Sequence, residues 1–300
     1  MTASPPAGNV RSRRLAALAD SWRVYRAERG GLLGLAVLVC AVLLAVLAPV
    51  LTDPAELDVT RVDASALSPP GPRHWLGTDE SGRSVLLLTW WGARMSLLVG
   101  GAAAVLSMVI GTLVGLTAAH FGGWVETALL RLTDFFLVLP ALVLAIALST
   151  VLSRGLFTIV LAIGVTSWPQ TARLVRAQTL TVETRPYVER ARALGGGHRH
   201  VLVKHVLPAV LPLVFATTTL TVASAIIAES TLSFLGLGDP SRVSWGAMLK
   251  SAMDTGAVTA GAWWYLLPPG IGIAVVVLAF TLCGRALETV LNPRLRGGTE

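Results

Sequence analysis

Charge is scarce in this sequence. Asp, Glu, Lys and Arg make up 14% of its 300 residues, against roughly 25% in soluble domains. That scarcity, with 54% hydrophobic residues and a mean hydropathy of +0.69, excludes an ordinary soluble domain and points to a membrane protein. Cysteine is nearly missing. Cys40 and Cys283 both fall within apolar runs, so no disulfide framework is implied and the redox compartment is not legible. There is no phosphate-cradling G-x-x-x-x-G-K-[ST] loop, no H-E-x-x-H and no G-x-S-x-G. Nothing therefore supports a built-in ATPase or an intramembrane hydrolase, and no catalytic residue is assigned.

What the chain does have is apolar runs of spanning length. Leu32–Leu51 carries no charge and matches the roughly 20 residues that cross a bilayer. It is long enough to stay as an anchor rather than be cleaved as a signal. Further runs at Met95–Ala119, Phe135–Val151, Phe157–Ala172, Ala209–Ala228 and Leu266–Leu282 bring the expectation to an all-α membrane protein with six transmembrane helices. Residues 95–290 form its core. Pro140 is read as a kink in the third span. In the second, Ala103, Ser107, Gly111 and Gly115 place a small residue at every fourth position. That stripe lets a neighbouring helix approach closely and is read as packing. Residues 1–31 are a basic tail in which Ser12–Arg29 is expected as an interfacial helix, with Leu15, Leu18, Trp22 and Tyr25 as its apolar stripe. Residues 52–94 and 229–264 are read as extracytoplasmic loops, and residues 291–300 as a tail.

Six spans put both termini on one side. The tails, the turn holding Arg131 and the stretch from Arg173 to Lys204 contain 17 of the 24 Lys and Arg residues. Because cytoplasmic loops carry the excess of basic residues, both termini are placed in the cytoplasm. The net charge of +7 is spread over short loops, so nucleic acid is not expected as a partner and the lipid membrane is.

One polar island stands out, residues 184–208. It carries Arg185, Arg190, Arg192, Arg199 and Lys204 against a single acid, Glu189. Pro186 suits a first helical turn, where no amide donor is needed. Tyr187, Val188, Ala191 and Leu194 then recur at helical spacing on one apolar face. Gly195, Gly196 and Gly197 stop the helix and permit a sharp turn. A second short helix follows, with Val201, Leu202 and His205 on one side, and Pro208 opens the next span. A helix–turn–helix exposed between two spans is shaped to be gripped by a soluble partner.

The residues Glu189, Ala191, Ala193, Leu194, Gly195, Leu207 and Pro208, in the pattern E-x-A-x-A-L-G … L-P, resemble the EAA loop of bacterial ABC importer permeases. Arg190 departs from the second letter of that motif. His74–Ser84, HWLGTDESGRS, resembles the H-x-L-G-T-D-x-x-G-R-D signature of the dipeptide and oligopeptide branch, with Ser84 in place of Asp. Ala228–Gly238 and Ser244–Leu249 are similar to that branch too. From about His74 to Arg294 the chain looks like the DppC/OppC-like permease of a peptide importer pair. The resemblance implies a multi-pass subunit of the cell (inner) membrane that moves dipeptides or short oligopeptides by alternating access. It implies a heterodimer with a homologous permease, two cytoplasmic ABC ATPases and an extracytoplasmic peptide-binding protein. The loop would form the coupling helix–turn–helix that docks on the ATPase, through Tyr187, Val188, Glu189, Arg190, Ala191, Ala193, Leu194, Gly195 and Pro208. ATP and Mg would bind the partner subunits, with no cofactor on this chain. A permease for nickel or another non-peptide solute shares these motifs. A secondary transporter is a remoter alternative, since such proteins show broken helices near mid-membrane.

Four residues are pathway candidates. Thr217, Thr221 and Ser224 share a face of the fifth span, where they could line a hydrated path or bond back to their own helix. Glu229 follows; an acid at membrane depth marks function unless it already lies at the aqueous surface. His198, His200 and His205 lack the cysteines and carboxylates of a metal site and are read as polar docking residues, so no metal is assigned. Asp134 lies one turn from Arg131 and is read as its ion-pair partner.

Overall fold

The computed structural model describes residues 22–62 and 64–291. Most of the stretch expected as an interfacial helix, residues 12–29, and the tail beyond residue 291 lie outside the described residues; of the former, residues 22–27 are helical. All the longer elements are α-helices: α1 (Arg29–Leu51), α2 (Val85–Phe121), α3 (Gly123–Val138), α4 (Ala141–Val151), α5 (Leu156–Glu183), α6 (Pro186–Ala193), α7 (His198–Val201), α8 (Leu207–Phe234), α9 (Trp245–Asp254) and α10 (Trp263–Leu291).

Among the described residues, four helical stretches are long and apolar enough to cross a membrane: α1, α2, the run from α7 through α8, and α10. The bent pair α3–α4 would make a fifth. This is a multi-pass membrane protein. The fourth expected span, 157–172, lies in the N-terminal half of α5, but that helix runs on as a polar rod to Glu183.

The third expected span, 135–151, is not one kinked helix. α3 and α4 meet at 88°. Pro140 lacks an N–H, and its ring drives the preceding Leu139 out of helical geometry, to φ −83 and ψ 130. A proline thus ends one helix and opens the next, instead of merely bending it.

Close helix contacts are set by small residues. A Cβ added to Gly111 would lie 2.6 Å from the Thr171 Cβ, and one on Gly115 would lie 2.5 Å from the Ala172 carbonyl oxygen. Ala103 and Ser107 on the same stripe are fully buried. The stripe is therefore the seam between α2 and α5. Three turns before Gly111 on α2, Gly100 meets Ile226 of α8. α10 packs between α8, through Gly284 against Leu220, and α1, where Gly34 meets the Ala279 carbonyl. Gly31 of α1 also lies against Ala286 of α10, so the first and last long helices share an end.

The HWLGTDESGRS segment folds as a rigid loop on the other end. Thr78 and Asp79 have no exposure. The Asp79 carboxylate accepts the backbone N–H groups of Ser81 and Arg83 and pairs with Arg83 Nε at 2.7 Å. Thr78 Oγ1 accepts from the Ser68 N–H and donates to the Ser65 carbonyl. Ser84 sits at the N-cap of α2 but makes no side-chain capping bond. The residues 229–264, read as a loop, contain α9, whose Ser244 hydroxyl caps the helix by accepting from the Ala247 N–H.

Candidate functional site

The polar island forms the expected helix–turn–helix. α6 ends in a Schellman turn: the Gly196 N–H donates to the Ala191 carbonyl and the Gly195 N–H to the Arg192 carbonyl, both at 2.9 Å. This geometry needs a left-handed residue after the cap, and Gly195 has φ +85.

The faces divide differently from the helical pattern. Val188 has no exposure, whereas Leu194 is 88% exposed and Tyr187 42%. Val188 is turned inward to a cluster with Val175, Val182, Val201, Val206 and Val210. It is the anchor of α6, not part of its outward surface. Nor do Val201, Leu202 and His205 form the buried side of the second arm. Val201 and Val206 are buried, five residues apart. The chain is π-helical from Leu202 to Val206, and an i→i+5 repeat puts those two valines on one side.

Outside this anchor lies an open groove of about 640 Å³, lined by Tyr187, Arg190, Ala191, Leu194, Gly195, Gly196, Gly197, His200 and His205. Glu189, Ala193 and Pro208 are exposed beside it. The rings of Tyr187 and His205 stand 6.2 Å apart, and those of His200 and His205 5.5 Å. Apolar and basic groups thus alternate on one solvent-facing surface.

The second feature is a cavity of about 650 Å³ among α3, α4, α5 and α8. It brings together Thr217, Thr221 and Ser224, the three hydroxyl candidates. Thr217 and Thr221 donate to carbonyls one turn back in their own helix. Ser224 is exposed to the cavity, and its hydroxyl makes no hydrogen bond among the described residues. From α5 come Thr166, Ser167 and Gln170, which sequence reasoning did not single out. Their signal was slight: Gln170 is an uncharged polar residue beside Pro169 in an apolar run. Pro140 lies on the wall, so the break between α3 and α4 shapes the space. The lining has no charged residue.

Glu229 does not line that cavity. Its side chain is 1% exposed and accepts from Ser96 Oγ at 2.9 Å and Ser233 Oγ at 2.8 Å. Neither is it at an aqueous surface. Asp134 pairs with Arg173 of α5 at 2.6 Å, not with Arg131, because tertiary packing brings a better-placed guanidinium from another helix. In the segment between α8 and α9, the Ser241 hydroxyl, aided by the Ser241 N–H, holds the Asp239 carboxyl below the usual carboxylate range.

Comparison with known proteins agrees with this architecture. Residues 107–297 match the family described as "Binding-protein-dependent transport system inner membrane component". Residues 17–70 match "N-terminal TM domain of oligopeptide transport permease C". The "Oligopeptide transport system permease protein OppC" of Bacillus subtilis (strain 168) is 34% identical over 97% of this chain and 94% of its own length. The "Dipeptide transport system permease protein DppC" of the same organism is 35% identical over 97% and 90%. The chain belongs to the binding-protein-dependent transport system inner membrane component family.

Proposed function

We propose that this chain is the permease subunit through which an ATP-driven importer passes dipeptides or short oligopeptides into the cell. The observation that carries the reading is the pairing of two features in one helical body. A hydroxyl-lined cavity lies among α3, α4, α5 and α8, and α5 leads from it to an exposed helix–turn–helix. The names of the two Bacillus relatives support peptides as the cargo.

In this reading the chain crosses the membrane six times, with α5 as the most polar span and both termini in the cytoplasm. A homologous permease faces it across the path, two ABC ATPases bind below, and a peptide-binding protein delivers cargo outside. ATP and Mg reside on the ATPases. The chain itself catalyses nothing. Tyr187, Arg190, Ala191 and Leu194 contact the ATPase, while Val188 ties α6 to the bundle and Gly195 fixes its angle. A wall of hydroxyls and an amide suits peptides of varied sequence, because it offers hydrogen bonds without selecting a side-chain charge.

The test is to purify the chain with its co-encoded subunits, reconstitute the complex, and measure stimulated ATP hydrolysis and uptake against a peptide panel and nickel. Stimulation by peptides supports the reading. Stimulation by nickel alone transfers the assignment to a metal-ion permease, and no ATPase in the complex defeats both.

A further inference from the structure

Glu183 is the last residue of α5, and two other elements meet it directly, with a third one contact beyond. Its Oε1 meets Nδ1 of His120, in the final turn of α2, at 2.5 Å. Its Oε2 meets a guanidinium nitrogen of Arg192, on α6, at 3.0 Å. The other nitrogen of His120 lies 2.9 Å from Nδ1 of His198, the first residue of α7. Arg192, Glu183, His120 and His198 thus form one chain of polar contacts joining both arms of the helix–turn–helix to the ends of α2 and α5. Its centre is mostly buried: the side chains of Glu183 and His120 are 12% and 1% exposed.

We propose that Glu183 is a positioning residue for energy coupling. Its two oxygens tie α5 to α2 and to α6, His120 extends the tie to α7, and α5 carries the movement of this body to the cavity. The proposal rests on the coupling reading above. Gln170, on the cavity wall, is 13 residues from Glu183, about 20 Å along a helix. The remaining ties between the arms and the bundle are chiefly the valine contacts around Val188, Val201 and Val206. Apolar contact is non-directional; hydrogen bonds weaken steeply with misalignment. The polar chain therefore fixes the angle at which a docked partner's movement enters the bundle.

The experiment uses the full reconstituted complex, in a Cys40→Ser background, with Ser224→Cys as a reporter in the cavity. Labelling by an impermeant thiol reagent is measured per assembled complex, without nucleotide and with ATP plus vanadate. In the parent complex nucleotide should change the labelling rate. With Glu183→Ala the ATPase subunits should still co-purify and hydrolyse ATP, but the nucleotide-dependent change should shrink by about fivefold or more, the lower range of allosteric couplings. Glu183→Gln keeps the shape and an acceptor oxygen, and should restore part of it. A merely structural role would lower the yield of complex and leave labelling per complex unaltered. If both variants respond to nucleotide as the parent does, Glu183 is not the positioning residue. If Glu183→Ala fails to assemble, Glu183→Gln alone decides: a full response overturns the proposal and a partial one upholds it. A parent complex whose labelling ignores nucleotide overturns the alternating-access reading, and this proposal with it.

Discussion

Ser96 on α2 donates a hydrogen bond to Glu229 on α8 at 2.9 Å and accepts one from the backbone N–H of Trp245 at the start of α9. One hydroxyl of α2 thus holds two consecutive helices, α8 and α9, from the far half of the sequence. The Trp245 indole N–H adds a second tie to α2, donating to the Thr89 carbonyl at 2.9 Å. The segments Ala228–Gly238 and Ser244–Leu249 meet here. Their small residues permit the approach: a Cβ on Gly246 would lie 2.3 Å from the Ser230 carbonyl oxygen.

Glu229→Ala should therefore act on stability. It leaves the Ser96 and Ser233 hydroxyls without their acceptor in a dry site, and each buried unsatisfied group costs about 1–3 kcal/mol. Glu229→Gln keeps one acceptor oxygen and should lose less. Thermal unfolding in detergent, followed for both variants and the parent, checks this. If Glu229→Ala melts with the parent while uptake falls, Glu229 serves the path and not the fold.

Much of this arrangement was legible in the sequence, and the gaps have common causes. Apolar length located α1, α2, α8 and α10, because the lipid demand for a continuous apolar run leaves a strong local signal. Proline, glycine and spacing located α6 and its stop at Gly195, since both are local backbone constraints. What failed was non-local. Arg173 reaches Asp134 across 39 residues, and no spacing rule encodes that. Val188 falls on the apolar face of α6, but only the bundle beneath decides that it faces inward while Leu194 faces out. α9 was missed because ten residues mixing Gly, Trp, Met and Lys show no spanning signal. Thr217, Thr221 and Ser224 were found by periodicity; Gln170 lies on another helix and joins them only through folding.

Two glycines should give opposite phenotypes. An added side chain at Gly195 meets nothing within 4 Å, so any penalty comes from its φ of +85, where a β-branched residue is strained by about 1–3 kcal/mol. Gly195→Val should reach the membrane in normal amount, weaken ATPase association or stimulated hydrolysis, and abolish uptake. Gly246→Val instead drives bulk into the Ser230 backbone and should lower membrane levels outright. Blots of membrane fractions beside uptake assays separate the two. Wild-type transport by Gly195→Val would show that the turn does not orient a docking element.

Orientation is checked by single cysteines in a Cys40→Ser background. Ser241 and Gly197 are both exposed and lie in segments assigned to opposite sides. Ser241→Cys should react with an impermeant thiol reagent in intact cells, and Gly197→Cys only after permeabilisation. The reverse pattern would invert the topology. Ser241→Cys also removes the hydroxyl that depresses the Asp239 pKa. A depressed carboxylate supports structure above its unfolded pKa and loses that support as pH falls through the folded value. The labelling therefore belongs at neutral pH, where Asp239 is charged in either form.

The cavity wall makes the sharpest functional prediction, because its three hydroxyls on α8 are not equivalent. The Thr217 and Thr221 hydroxyls are already engaged with carbonyls of their own helix, so the cavity gains little from them as donors. Ser224 has no such bond, and its side chain faces the open space. Thr221→Val replaces the hydroxyl by a methyl of similar size, and removes a bond that adds only about 1 kcal/mol net. Its effect on uptake should stay within about twofold. Ser224→Phe adds a ring to the cavity without displacing a core residue, so the helices should still pack and the complex should still form. Passage should then be blocked: uptake should drop at least about tenfold while the ATPase subunits remain bound. Ser224→Ala, which removes the free hydroxyl without filling the space, should fall between the two if that hydroxyl hydrogen-bonds the moving solute. Peptide uptake in vesicles, with co-purified ATPase as the assembly control, ranks the three variants. If Ser224→Phe transports at the parent rate, the solute does not pass this wall, and the cavity among α3, α4, α5 and α8 is only a packing gap.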